Sequence, residues 1–146
     1  MESSKIILVA VDFQDASLDA LATARELASR LGLEVVLLHA YAVPVVIYPG
    51  FDPIVAPGLP DEIAATAKSA LEKLAEDNGG LRAILRAGDP ATEILKAIDE
   101  QKPALVALGT HGRTGLAHLL LGSVAEKIVR ASPVPVITVH AKPSPA

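Results

Sequence analysis

Cysteine is absent from the 146 residues. That excludes a disulfide framework, a thiolate metal site and a thiol nucleophile, and it makes a reducing compartment the natural setting. Positive charge is scarce: 13 Lys and Arg stand against 17 Asp and Glu, for a formal net charge of -4. No domain-wide basic field exists to release counterions from a phosphate backbone, so nucleic acid is not an expected partner. Long apolar runs are lacking as well, since the longest, from Val35 to Phe51, is broken by His39, Pro44 and Pro49. It falls short of a membrane span. The start, Met1 to Lys5, lacks the basic residues and cleavage site of a signal peptide. These absences predict a soluble, cytoplasmic protein with no membrane partner.

Apolar residues make up 51% of the chain and charged residues 21%, which leaves little room for disorder outside Pro-rich stretches. The length fits a single domain over 1–146. Lys5 to Asp12, KIILVAVD, is a continuous apolar run ending in a carboxylate and reads as a strand covered on both faces. Ser17 to Leu31 has helical apolar spacing, with Asp15 or Ser17 as cap and Gly32 as stop. Leu33 to Tyr41 is a second buried strand. From Ala42 to Pro60, Pro44, Pro49, Pro53, Pro57, Gly50 and Gly58 predict a long variable loop. A helix over Asp61 to Asn78 and a strand over Leu81 to Ala87 follow. Asp89 caps a third helix that opens on Pro90 and reaches about Lys102. Ala104 to Leu108 is a fourth strand, Ser123 to Ala131 a last helix, and Val134 to His140 a final strand. A short flexible tail covers 141–146.

Strands alternating with helices predict an α/β fold, a doubly wound five-stranded parallel sheet with helices on both faces. Ligands in such folds collect beyond the carboxyl ends of the strands, where the winding reverses. The segment after the fourth strand is Gly109-Thr110-His111-Gly112, then nine residues, then Gly122-Ser123 and a helix beginning at Val124. Amides from Gly109 to Arg113 can crowd an anion. Gly122 and Ser123 stand at a helix N-terminus, where unpaired N–H groups attract phosphate. Neither GxxxxGK[ST] nor GxGxxG occurs.

This string resembles the nucleotide-binding signature of universal stress proteins: Gly, two residues, Gly, nine residues, Gly, then Ser or Thr, on Gly109, Gly112, Gly122 and Ser123. The likeness extends to VAVDF at Val9 to Phe13, LLHA at Leu37 to Ala40, AGDP at Ala87 to Pro90 and the closing SPVPVITV. The loop at 42–60 stands outside it. The resemblance implies a Rossmann-like, adenine nucleotide alpha hydrolase-like fold that binds ATP, with Mg2+ or Mn2+ held through the phosphates. It implies a nucleoside contact from Asp12 beside Val11, a base contact at Ala40, and phosphate contacts at Gly109, Gly112, Gly122, Ser123 and Val124. Many members carry Val where Ala40 stands here. The family's last strand joins two subunits, which implies a homodimer.

Other readings stand beside these. Asp12 could serve only as a cap, and Arg113 could either bind a phosphate or remain solvated. His111 reads as a local hydrogen-bonding group, and His39 as a satisfied core residue. Lys127 and Arg130 read as surface charges. No His or Glu cluster suggests a resident metal, and no nucleophile with a base is visible, so no catalytic residue is assigned. A stress-response or regulatory nucleotide binder with at most slow ATP hydrolysis is the expected function; a nucleotide-free dimeric interaction module is the alternative.

Overall fold

The computed structural model describes residues 4–110 and 121–141. Five strands, β1 (Ile6–Ala10), β2 (Glu34–Tyr41), β3 (Arg82–Ala87), β4 (Leu105–Gly109) and β5 (Val136–Val139), alternate with four helices, α1 (Asp15–Leu31), α2 (Leu59–Asp77), α3 (Pro90–Gln101) and α4 (Ser123–Ala131). All four strand pairings are parallel, in the order β3-β2-β1-β4-β5. The doubly wound five-stranded sheet expected from the alternating pattern is therefore present. Its winding reverses between β1 and β4, and Leu38, Ala10 and Leu108 stand side by side in register there.

Period-two alternation explains why the strands read as continuous apolar runs. Ile7 and Val9 point to one face and pack with Leu21, Ala24 and Ala28 of α1 and Leu71 and Ala75 of α2. Leu8 and Ala10 point to the other and pack with Ile94 and Ile98 of α3 and Ala125 and Ile128 of α4. The inner strands β1, β2 and β4 bury both their faces, so along β1 and β4 the polar groups lie beyond the strand ends. Those ends are where a site can form.

Several boundaries differ from expectation for identifiable reasons. β1 stops at Ala10, and Val11 to Gln14 form a turn into α1, with Phe13 in the left-handed region at φ 66°. α1 is capped by neither Asp15 nor Ser17: the N-cap is Gln14, without a side-chain bond. The Ser17 hydroxyl instead donates to the Gln14 carbonyl and accepts from the Asp12 amide. Gly32 does close the helix, at φ 68°.

The stretch expected as a loop to Pro60 is shorter and more ordered. α2 begins at Leu59, with Pro60 in its first turn where no N–H is needed. Val46 and Ile54 exchange two backbone bonds of 2.9 Å, an isolated antiparallel bridge. β5 starts at Val136 rather than Val134, because the Ser132 hydroxyl both accepts from the Val134 amide and donates to its carbonyl.

Candidate functional site

A cavity of about 280 Å³ opens at the carboxyl end of the seam between β1 and β4. That is close to the lower end of the range typical of small-molecule sites. Its floor is Ala10, Leu38 and Leu108, which stand in register on three neighbouring strands. Ala16 and Ser17 of α1, Pro90 and Ile94 of α3, and the start of α4 complete the walls. Val11, Asp12 and Ala40 line it on one side; Gly109, Gly122, Ser123 and Val124 line it on the other. Seven of the nine residues singled out from the sequence thus face one space. Gly112 and Arg113 lie outside the described residues, as do His111, Gly115 and His118.

The β1–α1 turn presents Asp12, which is the only charged residue among the described residues lining the cavity. Its Oδ1 accepts from the Gln14 amide at 2.9 Å, closing an Asx turn. Asp12 is therefore a cap and a cavity residue at once, with Oδ2 free of partners among the described residues. Val11 is pinned from both sides. Its amide donates to the Leu38 carbonyl at 2.8 Å, and its carbonyl accepts from Nδ1 of His39 at 2.7 Å. A carbonyl can only accept, so Nδ1 carries a proton, and in the neutral imidazole Nε2 is the acceptor. His39 is half-buried rather than a core residue, and its Nδ1 holds the turn.

Two glycines act differently from the reading given above. Gly109 lacks a positive φ. A Cβ there would stand 2.6 Å from the Ala16 carbonyl carbon and from the Ser17 amide nitrogen. The residue must be glycine so that α1 can approach the end of β4, quite apart from any anion. The Gly122 amide is not available either, since it donates to the Thr110 carbonyl at 2.7 Å. That bond is a latch. Thr110, only 3% exposed, also donates its own amide to the Val139 carbonyl at 3.0 Å and places Oγ1 3.1 Å from Nδ1 of His140. One threonine ties β4, β5 and the start of α4 together. Sequence reasoning passed over Thr110 because a threonine between two glycines carries no signal of its own.

Beyond the latch, α4 presents open donors. Its first internal bond runs from the Glu126 amide to the Gly122 carbonyl. No side chain caps the helix, and the amides of Ser123, Val124 and Ala125 have no partner among the described residues. Together with the aligned peptide dipoles they place partial positive charge at the cavity wall. Across the site, the Asp89 carboxyl is held below the ordinary carboxylate range, first by the Thr92 amide and then by the Thr92 hydroxyl, with Lys127 adding a smaller effect. The cavity therefore offers amide donors at one end, a carboxylate and a pinned turn at the other, and an apolar floor between.

The Universal stress protein family profile matches residues 3–140. The chain belongs to the universal stress protein family. Universal stress protein MJ0531 of Methanocaldococcus jannaschii is 34% identical over 143 residues, which cover 92% of this chain and 81% of that protein. Among solved structures, protein MJ0577 superposes with a TM-score of 0.76 at 27% identity, covering 97% of this chain and 99% of its own. A universal stress protein in complex with cAMP shares the fold, with a TM-score of 0.63 at 24% identity over 97% of this chain and 100% of that one. Among the described residues no helix is long and apolar enough to cross a membrane, and no group of acidic or His side chains is assembled to hold a metal ion.

Proposed function

We propose that this protein binds an adenine nucleotide, ATP in the first instance, in the cavity at the β1–β4 seam and serves as a regulatory nucleotide-binding protein. The observation that carries the reading is the set of three open amides, Ser123, Val124 and Ala125, at one wall of a cavity whose opposite wall is Asp12. Phosphates suit the first and a nucleoside suits the second. The apolar floor of Ala10, Leu38 and Leu108 accepts a base or sugar without leaving polar atoms unpaired. Ala40, at the rim, is placed to meet the base through its backbone. Gly109, Gly122 and Thr110 shape this pocket, while Gly112 and Arg113 belong to the proposal by their signature positions alone.

A divalent cation, Mg2+ or Mn2+, would enter with the phosphates and be held through their oxygens, since the one carboxylate of the described lining, Asp12, stands at the nucleoside wall. Hydrolysis is slow in this reading. Amides bound to the phosphates hold ground state and transition state about equally, and uniform binding accelerates little. Nucleotide state would then act through shape or partners, including a second copy joined along the exposed edge of β5.

A cyclic nucleotide is the second reading. The cavity volume is modest, and one universal stress protein of similar fold was solved in complex with cAMP. Denaturing the purified protein and identifying the released small molecule by mass spectrometry separates the two. Recovery of ATP or ADP supports the first, and recovery of cAMP or AMP the second. No nucleotide released, with no heat on titrating Mg·ATP or cAMP, would remove both.

A further inference from the structure

A second cavity of about 430 Å³ lies on the opposite side of the β1–α1 turn, in the α2 half of the fold. Its floor is Phe13, His39 and Tyr41, and its wall is one face of α2, with Ile63, Ala67 and Ala70. The polar groups reaching it are the His39 ring, the Glu62 carboxylate and the hydroxyls of Tyr41 and Thr66. Nδ1 of His39 donates to the Val11 carbonyl, so in the neutral imidazole Nε2 faces outward as an acceptor. Glu62 at the rim is an anion with no ion-pair partner among the described residues, and the described lining holds no cation. The rings of Phe13 and His39 meet at 4.6 Å and 56°, which leaves two tilted aromatic surfaces at the floor. An apolar pocket with a few convergent polar groups is the general form of a small-molecule site. Here one carboxylate without an ion-pair partner among the described residues, beside two aromatic faces, selects a flat ring that carries a cationic donor.

We propose that this groove is a second ligand site, taking a small aromatic amine, and that its occupancy is transmitted to the first cavity through the His39–Val11 hydrogen bond. The two cavities share one short turn: Val11 lines the first and Phe13 the second. Phe13 is held at φ 66°, a conformation that costs a non-glycine residue energy and that persists only where its surroundings impose it. A ring seated against Phe13 and His39 bears on the imidazole that holds the Val11 carbonyl and on the turn residue stacked against it. That this would alter nucleotide affinity rests on the function proposed above; the site itself does not.

The test is an NMR titration of the isotopically labelled full chain with benzylamine, in the absence of any nucleotide, with benzyl alcohol as the neutral control. Saturable shifts are expected at Phe13, His39, Thr66 and Ala67, with a dissociation constant of about 1 mM for a ligand of this size. The Val11 carbonyl carbon is expected to move in step. Glu62→Gln should weaken benzylamine about two- to five-fold, the effect of one exposed charge pair, and leave benzyl alcohol unchanged. Thr66→Trp, at an exposed rim position of α2 where folding is not at stake, should abolish both. Absence of saturable groove shifts up to about 10 mM would overturn the site, as would shifts confined to residues 45–55. Equal benzylamine affinity in Glu62→Gln would overturn the ligand class, and a Val11 carbonyl that stays still while the groove fills would overturn the communication. A failure to bind ATP would leave every one of these readings standing.

Discussion

Replacing Gly109 by alanine separates a glycine kept for packing from one kept for a ligand. The added Cβ would meet the Ala16 carbonyl carbon and the Ser17 amide nitrogen at 2.6 Å, and the Ala16 Cβ at 2.7 Å. Carbon atoms in contact prefer about 3.5–4.0 Å, so β4 and the start of α1 must part by about 1 Å. Both obstacles at 2.6 Å are backbone, which no rotamer change can clear. Overpacking of a filled core costs about 1–3 kcal/mol, and rigid backbone on both sides puts this case near about 3 kcal/mol. For a chain of this size that corresponds to a fall in Tm of about 6–12 °C. Denaturant unfolding followed by circular dichroism reads it directly. Ser17, which accepts from the Asp12 amide, moves with α1, so nucleotide affinity should fall together with stability. A Gly109→Ala protein that unfolds at the parent midpoint, with or without loss of binding, would refute the packing argument.

Three further perturbations test the parts of the site. His39→Ala leaves the Val11 carbonyl, on a residue only 4% exposed, without its donor; stability should drop by about 1–3 kcal/mol in urea unfolding, and a change within error would show that the bond holds nothing. Thr110→Val keeps the backbone bonds to Val139 and Gly122 and removes only the hydroxyl facing His140, so a loss of about 1 kcal/mol is expected with the α4 amides unmoved in NMR spectra. The Asp89 carboxyl titrates lower in the folded protein than in the unfolded chain because Thr92 donates to it twice. Its contribution is therefore complete above the ordinary carboxylate value of about 3.9 and is lost as pH falls through the lower folded value. Asp89→Ala should reduce stability at neutral pH and flatten the acid limb of the stability profile; an acid limb of unchanged slope would contradict the assignment.

The architecture was legible because the inner strands β1, β2 and β4 are buried on both sides. Runs such as Ile6 to Ala10 and Val35 to Leu38 leave no alternative to a parallel sheet flanked by helices. Asp89 with Pro90, and Gly32 after Leu31, marked helix ends by chemistry that is local and therefore readable. The cap of α1 escaped because its hydrogen bonds run across the turn, from Asp12 to Ser17 and from Gln14 to Asp12, rather than from a cap residue forward. The signature glycines and Asp12 located the cavity, but the reasons differ from those the pattern implied. Gly109 is set by a helix approaching from another part of the chain, and the Gly122 amide is consumed by Thr110. Tertiary contacts of that kind leave no trace in residue spacing. The same holds for His39, whose role depends on a carbonyl 28 residues away.

The central claim is that polyphosphate binds at the N-terminus of α4. Gly122 has φ -66° and ψ 164°, a backbone conformation open to any residue, so Gly122→Leu should fold while placing a side chain beside the open amides. Isothermal titration of Mg·ATP into the parent and into Gly122→Leu, with folding of both checked by circular dichroism, measures the claim directly. Saturable binding by the parent and none by the folded variant is the predicted result; equal affinity in the two proteins would contradict it.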